Sequence, residues 1–261
     1  MRSIDLNSDL GEGAGADDEI MAAITSANIA CGAHAGDVET MRRSVASAVR
    51  GGVAIGAHPG YRDPANFGRV ALDMPRSALF ADLVAQIEGL QGIADEAGSR
   101  VTHVKAHGAL YNRGERDPEI AAVIADAART VGADLVVFAP SGSAMAAAAA
   151  ALGLRVAREG FADRAYEPDG TLRSRRLAGA LHTDPRDAAA QALALARDGG
   201  VRAFDGTLVR LEVDTICVHG DTPNAPAIVR AVRDALGGAG IGVRPFALAP
   251  SRSAHRTPSV E

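Results

Sequence analysis

Tryptophan is missing from this 261-residue chain, and six phenylalanines with three tyrosines are its only aromatics. So sparse a set argues against a surface that stacks on bases or sugar rings. No apolar run approaches the twenty or so residues of a membrane span, and the alanine-rich stretch near 144–152 is too short for one. The first residues, Met-Arg-Ser-Ile-Asp-Leu-Asn, carry acids where a signal peptide carries its apolar core. Cysteine is limited to Cys31 and Cys217, too far apart in sequence for a CxxC pair or a disulfide framework. A cytoplasmic protein is the expectation. A net charge of −5 leaves no basic stripe for nucleic acid.

The most pointed scarcity is lysine. Of 27 basic residues 26 are arginine, and the remaining one is Lys105, in Val-Thr-His-Val-Lys-Ala-His-Gly (101–108). Arginine is always protonated, whereas a buried lysine shifts its pKa and can act as acid, base or nucleophile. A lone lysine is usually a solvated surface residue. Here, however, His103, Lys105 and His107 alternate, and three ionisable groups on one strand face are expensive to bury unless they are used.

Short apolar runs alternate with longer helical stretches along the chain, the pattern of βα units around a parallel sheet. Strands are expected at 3–9, 26–33, 53–58, 101–107, 134–139, 154–158 and 213–219. Helix starts are marked by Asp37, by Ser77 after Pro75, by Asp117-Pro118 and by Asp184-Pro185. One domain is expected over 1–246, followed by a loosely ordered tail over 247–261. Residues 160–182 form the longest irregular stretch, with a tight turn at Asp169-Gly170.

Sorting the strands by parity gives the fold class. Asp5, Asn7 and Asp9 share one face. So do Ser26, Asn28 and Ala30, continuing to Gly32 and His34; Ala54, Gly56 and His58; His103, Lys105 and His107; and Thr215, Cys217 and His219. In each case the other face is mainly apolar. An open doubly wound sheet, covered on both sides, would read as continuous apolar runs. One apolar and one small or polar face fit a (β/α) barrel of about seven parallel strands, with the polar face lining its interior. The polar residues gather toward the C-terminal strand ends, where such barrels hold their active sites. His34, His58, His103, His107 and His219, five of the seven histidines, are expected on that rim.

Simpler roles compete with these. Asp37 suits a helix N-cap, and both cysteines suit small core positions. Gly-Ala-Gly-Ala-Asp at 13–17 lacks the strand that feeds a phosphate loop, and the flanks of Lys105 exclude a P-loop. Asp9, His34, His58 and His107 offer ligands for zinc or a similar ion. No HExxH or helical histidine pair supports that set, and an adjacent ammonium would repel a cation, so a divalent metal is left open rather than asserted.

Six segments, in order, carry a resemblance: Asp5-Leu-Asn-Ser-Asp-Leu-Gly-Glu12; Ser26-Ala-Asn-Ile-Ala-Cys-Gly-Ala-His-Ala-Gly-Asp37; Gly52-Val-Ala-Ile-Gly-Ala-His-Pro-Gly-Tyr61; His103-Val-Lys-Ala-His-Gly-Ala-Leu-Tyr-Asn112; Phe161-Ala-Asp-Arg-Ala-Tyr166; and Ile216-Cys-Val-His-Gly-Asp221. Over about residues 3–246 the chain resembles the LamB/YcsF family. It departs from the family at Ala33, where a bulky aromatic is common, and at Ala106, where proline is common. The resemblance implies a barrel related to glycoside hydrolases and polysaccharide deacetylases. It also implies hydrolysis of 5-oxo-L-proline to L-glutamate, with ATP as co-substrate and with 5-oxoprolinase subunits B and C as partners.

On that basis the catalytic set is expected to be Asp9, His58, Lys105 and His107. Asp9 or His58 would activate water, while Lys105 and His107 would meet developing negative charge or phosphate. Substrate binding is expected from Asn7, Glu12, Asn28, His34, His103, Asp163, Arg164, His219 and Asp221, with Arg164 clamping the substrate carboxylate. Two other functions fit the same residues. One is a stand-alone metal-dependent amidohydrolase or deacetylase, and the other is a subunit that binds substrate without acting on it.

Overall fold

The computed structural model describes residues 2–248, so the tail expected from 247 onward lies almost wholly outside the described residues. Six strands come first: β1 (Ser3–Leu10), β2 (Ser26–Ala30), β3 (Ala54–His58), β4 (Val101–Val104), β5 (Val136–Pro140) and β6 (Arg155–Phe161). A small antiparallel hairpin of β7 (Gly200–Arg202) and β8 (Leu208–Arg210) precedes β9 (Thr215–Cys217), and β10 (Gly242–Val243) extends β1 at its start. Strands β1 to β6 pair in sequence order, all parallel, and β9 pairs with both β6 and β1. The sheet therefore closes into a seven-stranded barrel.

Around it run α1 (Asp17–Met21), α2 (Val38–Gly51), α3 (Arg76–Glu96), α4 (Gly108–Arg116), α5 (Pro118–Val131), α6 (Ala144–Ala151), α7 (Pro185–Leu193) and α8 (Ala225–Gly238). Asp37 caps α2 by accepting from Thr40 N at 2.8 Å, a contact that contributes about 1 kcal/mol. Asp117 and Asp184 cap α5 and α7 in the same way, each followed by a proline in the first turn. The start expected at Ser77 is different. Arg76 already opens α3, and Pro75 precedes it without a side-chain cap.

The apolar strand faces point outward beneath the helices: Leu6, Ile29, Ile55, Val104, Val137 and Ile216 are buried there in one continuous core. A separate apolar cluster of Val136, Phe138 and Ala157, with Phe246 against it, fills part of the barrel interior. Above it the interior is polar.

The fourth strand is shorter than the expected 101–107, yet its backbone keeps its course. Lys105 N donates to Ala57 O at 3.0 Å and His107 N to Pro59 O at 2.8 Å. Continued pairing with the β3 side preserves the alternation that turns His103, Lys105 and His107 inward. In the irregular stretch after β6, Tyr166 pairs with Leu172 across the Asp169-Gly170 turn, and Arg164 pairs with Leu181.

Candidate active site

Three layers of polar side chains fill the barrel, each resting on the one below. At the base, Asp5 accepts from Thr25 and Ser26 hydroxyls at 2.7 and 2.8 Å and from Thr215 at 2.6 Å. Burial nevertheless pushes its carboxyl up to about 6. The next layer is an amide relay. Asn28 Nδ2 donates to both Asn7 Oδ1 and Asp9 Oδ1 at 2.8 Å, and its Oδ1 accepts from His103 Nε2 at 3.0 Å.

His103 is not on the rim. It is fully buried beside Gly56 and stacks on Phe138 with ring centroids 4.2 Å apart. Burial, reinforced by the Lys105 charge, lowers its ring to about 3, so the ring is neutral and donates to the Asn28 oxygen. Gly56 makes room for it: a Cβ there would stand 2.0 Å from His103 Nε2.

Lys105 occupies the layer above. Its Nζ lies 2.9 Å from Asp9 Oδ1 and 2.9 Å from Glu159 Oε1, with Cys217 Sγ at 3.1 Å and Asn7 Oδ1 at 3.3 Å. Burial favours the neutral amine, but the two carboxylates outweigh it and raise the ammonium well above its ordinary value. Asp9 is the counterpart: burial would raise its carboxyl, and the charges of His58 and Lys105 hold it well below the usual range. The lysine is therefore a fixed cation rather than an adjustable one. Glu159, which the strand pattern did not mark, is held from its other side by Tyr111 OH at 2.7 Å.

Beside Lys105, His34, His58 and His107 gather around Glu12. His34 and His107 stack with ring centroids 3.7 Å apart, and His58 stands edge-on to both. The ligating atoms of these four residues all lie within 4.8 Å of one another. The carboxylate in this group is Glu12, where the sequence pointed to Asp9. Asp9 is instead taken up by Lys105 and Asn28.

A third group forms the opposite wall. Asp163 accepts from His219 Nδ1 at 3.0 Å and from Thr222 Oγ1 at 2.5 Å. Burial would raise its carboxyl, but His219 and Thr222 bring it down to about 2. Arg164 is buried to 7% exposure. Its Nη2 donates to Arg173 O at 2.7 Å, its Nε has no partner, and no carboxylate forms an ion pair with it among the described residues. Burial and the nearby Arg175 charge lower its guanidinium to about 10.

These walls enclose a cavity of about 460 Å³ lined by Asp9, His58, Lys105, His107, Arg164 and His219, among others. All four expected catalytic residues line it. Of the expected substrate-binding residues only Arg164 and His219 do. Asn7, Asn28 and His103 lie beneath it, and Glu12 and His34 lie behind His58 and His107. Asp163 supports His219, and Asp221 pairs with Arg69 and Arg175 at the mouth. Ala106 lines the cavity wall, whereas Ala33 is packed in the interior.

The family profile described as LamB/YcsF matches residues 4–250. This chain belongs to the LamB/YcsF family. Among LamB/YcsF relatives, a protein from Paracidovorax citrulli named as the A subunit of 5-oxoprolinase is 50% identical over 249 residues, covering 94% of this chain and 99% of the relative. A protein of the same name from Heliobacterium modesticaldum is 48% identical over 246 residues, 92% and 97% of the two chains. The crystal structure of a lactam utilization protein from Thermus thermophilus superposes with a TM-score of 0.88 at 41% identity, covering 94% of this chain and all of that one. A T48 deacetylase solved with substrate shares the fold, with a TM-score of 0.51 at 13% identity, over 94% of this chain and 88% of its own.

Proposed function

We propose that this chain is the A subunit of an ATP-dependent 5-oxoprolinase. Together with subunits B and C it opens 5-oxo-L-proline to L-glutamate, coupled to hydrolysis of ATP to ADP and phosphate, in the cytoplasm. The observation that carries this reading is that one cavity is lined both by a buried guanidinium without a carboxylate partner and by a buried ammonium. A small substrate with a carboxylate at one end and an amide oxygen at the other suits that pair.

Arg164 receives the substrate carboxylate, since an uncompensated buried cation is costly and a bidentate anion relieves it. Lys105 faces the lactam oxygen. Its N–H groups donate to Asp9 Oδ1, Asn7 Oδ1 and Cys217 Sγ, with Glu159 as a second counter-ion, and the donor on Cys217 meets the weakest of these acceptors. That donor is the one most cheaply turned toward an oxygen gaining negative charge.

Water activation falls to His219 rather than to Asp9 or His58. Asp9 is held as a carboxylate by Lys105 and Asn28, which makes it a poor proton acceptor. His219 has Nδ1 fixed on Asp163, leaving Nε2 as the ring's free base in a residue that lines the cavity. Water adds to the ring carbonyl carbon and gives its proton to Nε2. As the C–N bond breaks, that proton is returned to the departing nitrogen. An unstrained lactam is resonance-stabilised, so its oxygen is first phosphorylated by ATP, releasing ADP; opening of the ring then leaves an acyl phosphate, which a second water cleaves to the glutamate carboxylate and free phosphate. Arg69, Arg116, Arg175 and Arg176 around the mouth suit phosphate oxygens.

The test is glutamate release from 5-oxoproline, with and without ATP and the partner subunits. Turnover is expected only with all three subunits and ATP. Turnover by this chain alone without ATP would overturn the reading in favour of a stand-alone amidohydrolase.

A further inference from the structure

We propose that Glu12, His34, His58 and His107 form a binding site for one first-row divalent cation of the zinc class. Cation binding here does not depend on the identity of the substrate. A zinc ion bonded at 2.0–2.1 Å to four ligands in a tetrahedron sets them about 3.3 Å apart. The corresponding separations in this cluster are 3.0 Å from His34 Nε2 to Glu12 Oε1, 3.0 Å from His58 Nε2 to His107 Nδ1, 3.2 Å from His107 Nδ1 to Glu12 Oε1 and 3.7 Å from His58 Nε2 to Glu12 Oε1. The donor set already has ligand spacing.

Ring orientation points the same way. His58 Nδ1 is 2.7 Å from Lys105 O, and His107 Nε2 is 2.8 Å from Phe67 O. A carbonyl can only accept, so each of those nitrogens carries the proton. With those protons placed, the nitrogens that face each other, His58 Nε2 and His107 Nδ1, stand 3.0 Å apart with at most one proton between them, and a cation could take both lone pairs in its place. Fixing a ring by a backbone acceptor on its far nitrogen is how metal-ligating histidines are held. Phe67 adopts a left-handed backbone, φ 55°, to bring its carbonyl there, and such strain persists only where the surroundings enforce it.

The neighbouring ammonium does not oppose a cation. Lys105 is matched by both Asp9 and Glu159, and Asp9 Oδ2 lies 3.5 Å from His58 Nε2. Asp9, Glu12 and Glu159 set three carboxylates against one ammonium, an excess of negative charge that suits a cation. Glu12 also lines a second cavity of about 500 Å³ between the Gly11–Asp17 loop and α2, which offers an entry route. Imidazole-rich sites favour zinc and its neighbours over magnesium or calcium. Once bound, such an ion would supply Lewis-acid chemistry to the cavity that His58 and His107 share.

The experiment uses the full chain without a histidine tag, purified free of chelator. Expected are about one equivalent of a first-row metal by mass spectrometry, a higher melting temperature with Zn²⁺ or Co²⁺ but not Mg²⁺, and a visible tetrahedral spectrum with Co²⁺. His34→Ala should weaken Zn²⁺ binding roughly 100-fold or more, beyond the range that loss of a supporting contact gives. To guard against loss of folding in that variant, wild-type protein is also titrated against a chromophoric chelator. Failure of wild type to compete for micromolar Zn²⁺, or binding equal to that of a folded His34→Ala variant, would overturn the proposal. The two proposals fail separately: ATP-dependent turnover by a complex whose A subunit binds neither Zn²⁺ nor Co²⁺ sinks only the cation site, and metal binding without lactam turnover sinks only the oxoprolinase reading.

Discussion

The ammonium of Lys105 and the carboxylate of Glu159 meet at 2.9 Å inside the barrel, and Tyr111 anchors that carboxylate from behind. Removing one partner of a buried ion pair leaves the other uncompensated and costs about 3–5 kcal/mol. Lys105→Met is expected to lower stability by that order in urea denaturation at pH 7, because both Asp9 and Glu159 lose their counter-ion.

Lys105→Arg separates charge from shape. The compact ammonium reaches Asp9, Glu159, Cys217 and Asn7 from one point, and a planar guanidinium cannot. Turnover by the reconstituted complex should fall by about 100-fold or more with an unchanged circular dichroism spectrum. Full turnover in that variant would show that charge alone is required.

Gly56→Ala tests the interior packing. The added methyl would meet His103 at 2.0 Å, so the ring must leave Asn28 and Phe138. A loss of about 1–3 kcal/mol is expected from overpacking. Differential scanning calorimetry of the variant would record it, and an unchanged melting temperature would contradict the placement of His103.

Asp163→Asn probes the His219 support through pH. The carboxyl of Asp163 is lowered from 3.8 to about 2, so its stabilisation is present above pH 3.8 and lost as pH falls toward 2. The shift corresponds to about 2 kcal/mol at neutral pH. The gap in unfolding free energy between wild type and variant should be near that value at pH 7 and shrink below pH 3.8. A gap independent of pH would mean that the carboxylate charge contributes nothing.

Arg164→Gln should raise KM for 5-oxoproline by about 10-fold or more, as expected when a charge-assisted contact is lost, and should leave ATP affinity of the complex unaltered. Steady-state kinetics on the proposed three-subunit enzyme distinguishes this from a fold defect, which would lower kcat and raise both constants together.

Alternation made the barrel legible, because its helices bury the outward faces of Leu6, Ile29, Ile55, Val104 and Ile216 while small and polar residues turn inward. It also pointed Lys105 inward and put Asp9, His58 and His107 around it. Glu159 escaped because β6 does not alternate. Arg155 and Arg158 interrupt it, and Arg158 is drawn outward to Asp214 and Glu212. The expected strand stopped at 158, one residue short of Glu159. Depth along the barrel axis was unreadable too. Parity gives a face and not a height, so His103 was grouped with the rim although its register with Val136 sets it low. Likewise, Glu12 beyond the end of β1 could not be told from Asp9 as a companion of the histidines, since that depends on how the chain turns after Leu10.

Burial of the only lysine, at 2% exposure, gives the chain an unusual chemical silence. A lysine-selective acylating reagent finds no lysine amine on the folded surface. Any lysine modification therefore reports an opening of the barrel mouth deep enough to expose Lys105. The rate of that single acylation, followed by mass spectrometry as substrate or the partner proteins are added, would serve as a clock for breathing of the pocket, with no introduced label.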